Sequence, residues 1–228
     1  MTYTLGVDLG TQQDYTALVL MRRTEKLRRN GALPGTWQHE SEPVYVYSTY
    51  DVVRLEQFPL GVDYGTVIER CRQILTNPRL AGATDLVVDA TGVGLPVVQQ
   101  MRHAGLTPYA VTITGGSSLN QTGLAAWNVP KRDLVSSLQL LFQAGRIRLP
   151  DPKRNELVGI LKEQLQRFTA KITKAGNEVF SAETESVHDD LVMALALAGW
   201  FAVKMYPFDE PAPQEDHENT YQALEIIK

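Results

Sequence analysis

Three aspartates in this chain have the type and setting to do chemistry: Asp8 within GVDLGTQQDY, Asp89 at the end of LVVD, and Asp190 in HDDLVMALALA. Asp8 is surrounded by Leu5, Val7 and Leu9. That pattern puts a carboxylate inside an apolar strand, although the same acid can be read as capping the turn at Gly10-Thr11. Asp89 closes a short apolar strand, and ligands gather at the carboxyl ends of central strands in open α/β sheets. Gly92 and Gly94 would let the backbone approach a phosphate there, and the alternative is a helix N-cap or loop acid. The segment fails as a dinucleotide fingerprint, because the third glycine position is Val97. Asp189 and Asp190 open an apolar helix, where the helix dipole favours acids, and Ser186 with Asp189 resembles a capping box. Asp190 is not needed for that cap. Its helical neighbours Met193, Ala194 and Leu197 turn it toward the interior, where a carboxylate requires a counter-charge.

If Asp8, Asp89 and Asp190 converge, their charges repel and raise one another's pKa until a cation neutralises them. Hard oxygen donors without a His or Cys cluster favour Mg²⁺ or Mn²⁺. Two such ions about 3.5–4 Å apart clamp the attacking and leaving oxygens of a phosphoryl displacement, with water as the nucleophile. No Ser, Cys or His triad is required, and none is visible.

The elements around these acids follow from local pattern. Residues 3–9 alternate as a strand, and Tyr15 to Arg22 returns antiparallel to it. Residues 23–41, with bases crowded over 22–29 and then Gly31, Pro34 and Gly35, are expected to form an exposed insertion. Val44 to Leu55 gives a third strand, and Asp63 opens a helix over 64–76 that Asn77-Pro78 stops. Leu86 to Asp89 has the fully apolar pattern of a buried central strand. Residues 96–104 read as helix, 109–114 as strand, and 115–128 as a Gly/Ser/Asn loop. Pro130 marks the start of a helix reaching Ala144. A further helix is expected from about Pro152 to Arg167, then a β-hairpin over 168–182 turning at Ala175-Gly176-Asn177. A final helix runs from about Asp189 to Lys204. The result is a mixed-sheet α/β domain over 1–206, with an acidic, Pro-rich and disordered tail over 207–228.

Composition excludes several classes. With Cys71 the only cysteine among 228 residues, no intramolecular disulfide or Cys-rich zinc site can form, and a reducing, intracellular setting is expected. The longest apolar run, Leu191 to Val203, has 13 residues, short of the ~20 a membrane helix needs. The first residues form a strand pattern rather than a signal peptide. The net charge of −4 is uneven: six acids and one base lie beyond Pro207, leaving 21 bases and 20 acids before it. Total charge therefore neither supports nor opposes a nucleic-acid partner.

GVDLGTQQDYTALVL, LVVDATGVGLPVV, VPKRDLVSSLQLLFQAGRIRLP and VHDDLVMALALA occur in the order seen in nuclease domains of tailed-bacteriophage large terminase subunits, which the chain resembles from residue 3 to about 205. The resemblance implies a ribonuclease H-like (retroviral-integrase-like) fold, a mixed central sheet flanked by helices with an auxiliary β-hairpin at 168–182 beside the DNA path. It implies that Asp8, Asp89 and Asp190 bind two catalytic Mg²⁺ or Mn²⁺ ions, with Asp189 assisting and Asp14 as an accessory acid. The implied activity is endonucleolytic cleavage of concatemeric double-stranded DNA, with little sequence specificity, during genome packaging in the cytoplasm of an infected bacterium. The implied partners are duplex DNA, a packaging ATPase domain or chain, and small terminase and portal proteins, with no membrane. A complete terminase also carries a packaging ATPase. No G-x-x-x-x-G-K-[ST] loop is present here, so ATP hydrolysis is not expected of this chain.

Two rivals share features with this reading. GVDLGT resembles the phosphate-binding hairpin of actin-like and sugar-kinase ATPases, which need a second lobe, and a Holliday-junction resolvase would share fold and metal site. Lys131 and Arg132, with Arg146, Arg148, Lys153 and Arg154, form a basic helix–strand–helix unit. With Lys171 and Lys174 they are the candidate phosphate contacts, which would carry no sequence information.

Overall fold

The computed structural model describes residues 1–29, 44–153, 155–174 and 188–206. The chain opens with β1 (Thr2–Asp8), β2 (Ala17–Arg29) and β3 (Val44–Gln57), an antiparallel meander. Next come α1 (Tyr64–Leu75), β4 (Thr84–Asp89), α2 (Gly94–His103), β5 (Tyr109–Thr114), β6 (Asn120–Gly123) and β7 (Ala126–Pro130). The remainder is α3 (Lys131–Gln143), β8 (Ile147–Arg148), α4 (Leu157–Lys174) and α5 (Asp190–Met205). Among the described residues all eight strands belong to one sheet, in the order β6-β7-β5-β4-β1-β2-β3-β8. Its centre, β3-β2-β1-β4-β5 with β2 alone antiparallel, agrees with the mixed central sheet flanked by helices that the resemblance implies.

Each face of the sheet buries its own core. Alternation along β1 sends Leu5 and Val7 toward α1 and α2, where they meet Val67, Val98 and Met101. The opposite face of β1 lies against α5. Gly6 is required there, because a Cβ would run into the Ala194 carbonyl. Every residue of α5 from Asp190 through Ala202 is buried, so this helix is apolar all round and forms the centre of the second core with α3 and α4. Tyr109, Trp127, Trp200 and Phe201 close that core with tilted and edge-on ring contacts. The Asp63 cap holds as expected, with Oδ1 accepting from the Thr66 N–H at 2.9 Å.

Four local expectations are corrected. The exposed insertion expected from residue 23 starts later, because β2 continues to Arg29 in register with β3 down to Val44; residues 30–43 lie outside the described residues. The loop expected over 115–128 contains β6 and most of β7. Trp127 and Val129 alternate into the core, and pairing of β7 with β5 overrides the Gly/Ser/Asn propensity around them. The helix expected from about Pro152 starts at Leu157. It also continues through Lys174, so the first arm of the expected hairpin is helical. Leu161, Leu165, Phe168 and Ile172 are spaced four, three and four apart, and that helical period is as good a reading of the segment as alternation. The second arm of that hairpin, Ser186 and the tail over 207–228 lie outside the described residues. Among the described residues no helix is long and apolar enough to cross a membrane.

Candidate metal-binding site

Parallel pairing of β1 with β4 matches Val7 to Val88, which sets Asp8 beside Asp89 at the carboxyl ends of two central strands. Packing of α5 on the β1 face brings the first turn of α5, with Asp189 and Asp190, to the same end of the sheet. The acids thus meet because three backbone elements end together.

Their electrostatics reflect that crowding. Burial lifts the Asp8 carboxyl well above its ordinary value, and the charges of Asp89, Asp189 and Asp190 push it further, against the pull of Lys131. Burial also raises Asp89, by more than its hydrogen bonds with Thr91 and Asp8 and the Lys131 charge lower it. Asp190 is 4% exposed and is pushed up to about 6, chiefly by burial, with Asp189 and Asp14 adding to the shift. Its Oδ2 is buried without a hydrogen-bond partner.

Asp189 makes no capping hydrogen bond for α5, so the capping reading of this acid does not hold. Its Oδ2 instead accepts from Lys131 Nζ at 3.1 Å, which brings the first residue of α3 into the cluster. Asp14 is exposed on the β1–β2 turn, where the Thr11 hydroxyl donates to it at 3.2 Å, and its charge is felt by Asp190. Arg132 lies outside the acid cluster: its Nη2 donates to the Ser117 carbonyl at 3.0 Å. Lys171 and Lys174 are on the last turns of α4 rather than on a hairpin.

Three supporting residues were missed in the sequence. The Thr91 N–H donates to Asp89 Oδ1 at 2.7 Å while its hydroxyl accepts from the Ile113 N–H at 2.8 Å, tying the carboxylate to β5. The spacing of Asp89 and Thr91 is that of an Asx-turn, a signal the sequence does contain. Gly92, at φ 55, completes this turn in a conformation that favours glycine. Thr16 accepts from the Gly10 N–H at 3.0 Å and closes the loop after Asp8. Gln164 binds the start of α5 from a separate helix, and no local signal announces it.

The donor set suits a hard cation. It consists of carboxylate oxygens, one of them buried and unpartnered, and burial and mutual repulsion raise the cost of charging Asp8 and Asp190 without a counter-ion. Among the described residues no three His, Cys, Asp or Glu side chains already enclose a metal position. Among the described residues the Lys131 ammonium supplies counter-charge to Asp8, Asp89 and Asp189.

No family model matches the chain. It is 27% identical over 201 residues to the large terminase subunit of Thermus phage G20c, covering 86% of this chain and 31% of the relative. The large terminase subunit of a second Thermus virus matches with the same identity and coverage. The chain therefore spans about a third of the length of these curated relatives. Among solved structures, the large terminase nuclease of phage G20c aligns with a TM-score of 0.48 at 19% identity, over 86% of this chain and 80% of that one. The Mn-soaked terminase nuclease domain of human cytomegalovirus aligns with a TM-score of 0.45 at 15% identity, over 90% and 85% of the two chains.

Proposed function

We propose that residues 1–206 are a divalent-metal-dependent DNA endonuclease domain, cutting concatemeric duplex DNA during viral genome packaging in the cytoplasm of an infected bacterium. The observation that carries this reading is the convergence of Asp8, Asp89 and Asp190 at one end of the sheet, with a buried Asp190 oxygen left unpartnered. Likeness to the large terminase subunit of a phage supports the packaging context.

In this reading Asp8, Asp89 and Asp190 hold two Mg²⁺ or Mn²⁺ ions, with Asp189 and Asp14 as accessory acids. Bound there, such ions supply a water activated at neutral pH and stabilise the leaving oxygen of a phosphodiester. The chain's own work is positional. Thr91 orients Asp89, the first turn of α5 presents Asp190, and Lys131 balances the acids before metal arrives. Lys131, Arg132, Lys171 and Lys174 would contact phosphates, giving affinity with little sequence preference. Partners would be duplex DNA, a packaging ATPase domain or chain, and small terminase and portal proteins.

The test is incubation of purified protein with supercoiled plasmid, linear duplex and a four-way junction, with Mg²⁺, Mn²⁺ or EDTA, and with or without ATP. Metal-dependent, EDTA-sensitive cutting of plain duplex without ATP is the expected result. Cutting restricted to the junction would reassign the protein to resolvase-like work, and cleavage indifferent to EDTA would remove the metal site.

A further inference from the structure

Helix α5 begins at Asp190, and its first internal bond runs from the Met193 N–H to the Asp189 carbonyl at 2.8 Å. The N–H groups of Asp190, Leu191 and Val192 therefore have no intrahelical acceptor. Water is a poor substitute for one, because the helix is buried from its first residue onward. In most helices the N-cap side chain supplies the acceptor. Asp189 occupies that position without doing so, since its carboxylate is engaged by Lys131. The acceptor comes from α4 instead. Gln164 Oε1 lies 3.1 Å from the Leu191 nitrogen and 3.3 Å from that of Val192, and Gln164 is itself 5% exposed.

We infer that Gln164 is a positioning residue for the acid cluster: it caps α5 from a neighbouring helix and so frees Asp189 and Asp190 to face Asp8 and Asp89. This rests on the proposed metal-binding role of those acids. Glutamine suits the task because its amide oxygen accepts two N–H bonds without adding charge. A glutamate would place one more negative charge beside four aspartates, and a serine or threonine hydroxyl would sit too close to its own backbone to reach another helix. Leu161 and Leu165, buried one turn before Gln164 and directly after it, hold that part of α4 in the core. The position of the oxygen is therefore set by packing.

The test compares the full chain with Gln164→Leu, which keeps the volume and removes the acceptor, and with Val98→Ala, which loosens the opposite core. Amide exchange is read by NMR and Mn²⁺ binding by calorimetry, both at a temperature where each protein is folded. In Gln164→Leu, exchange at Leu191 and Val192 should rise at least tenfold while Leu195 to Phe201 stay protected, and Mn²⁺ affinity should fall at least tenfold. Val98→Ala should bind Mn²⁺ like wild type. If Gln164→Leu does not fold, Gln164→Asn withdraws the oxygen by one methylene and should shift both readouts in the same direction. Wild-type Mn²⁺ affinity in the Gln164 variant, or an equal loss in Val98→Ala, would overturn the assignment. Absence of Mn²⁺ binding by the wild type would instead overturn the metal reading, and that is seen before any variant is compared.

Discussion

Lys131 and Asp189, 58 residues apart, meet in an ion pair of 3.1 Å that ties the first residue of α3 to the N-cap of α5. Both side chains are about a third exposed, so solvent screening limits the bond to about 0.5–1 kcal/mol. Its importance is its place: Lys131 also lowers the pKa of Asp8 and Asp89 and so balances acids that would otherwise repel. Lys131→Met should lower the metal-free melting temperature by about 2–4 °C. It should also enlarge the rise in melting temperature that Mn²⁺ produces, measured by calorimetry with and without the ion. An unchanged metal-free melting temperature would show that the ammonium does not hold the cluster.

Asp8→Asn, Asp89→Asn and Asp190→Asn should each abolish plasmid cleavage and leave the circular dichroism spectrum intact, since each removes a charged oxygen and almost no volume. Relief of repulsion should raise the metal-free melting temperature of at least the Asp8 variant. Asp189→Asn should retain more activity. Wild-type cutting by Asp8→Asn would refute the site.

Stability without metal should fall as pH rises. Asp190 in the folded state is pushed up to about 6, against ~3.9 for an unfolded aspartate. Between these values the folded protein binds more protons at Asp190 than the unfolded chain, so the stability this group contributes is fully present below about pH 4 and declines as pH rises through about 6. Asp8 and Asp89 are shifted in the same direction and add to the slope. Asp51 acts oppositely. Burial pushes it up, but hydrogen bonds from Arg22 at 2.7 Å and Arg148 at 2.6 Å prevail and hold it below its ordinary value. Its stabilising effect is lost only as pH falls through the acid range. Thermal melts from pH 4 to 7 in EDTA should show the decline, and Asp190→Asn should flatten it.

Two glycines should respond oppositely to alanine. A Cβ on Gly6 meets the backbone of α5, so Gly6→Ala should cost about 1–3 kcal/mol or more and displace the helix that carries Asp190. Gly159 lies in α4 with open space around it, so Gly159→Ala should stabilise by about 0.5–1 kcal/mol. Urea denaturation of both variants checks the contrast.

Neutralising Lys171 and Lys174 together should weaken DNA binding equally across sequences. It should also reduce the slope of log affinity against log salt by about 0.9 for each phosphate that the protein no longer neutralises. An unchanged slope would place the DNA path away from the end of α4.

Short-range pattern already singles out Asp8, Asp89 and Asp190 as candidates and marks the strands that end in Asp8 and Asp89, α1 with its Asp63 cap, and the buried helix beginning near Asp190. Each is written in short-range pattern: alternation, a capping residue, or an apolar run facing one way. The structure alone decided what depends on partners distant in the chain. Residues 126–130 are a strand because β5 offers them an edge, and β2 runs on to Arg29 because β3 pairs with it. The segment 168–174 suited a strand and a helix equally, and continuation of the helix already begun at Leu157 resolved the choice. The first turn of α5 shows the limit most clearly. Ser186 and Asp189 resemble a cap in sequence, yet the amides are held by Gln164, 27 residues from Leu191, and Asp189 turns to Lys131. Local propensity can specify that a helix starts there. Which buried oxygen satisfies it depends on how α4 packs against α5, and that packing is settled only when the whole core forms.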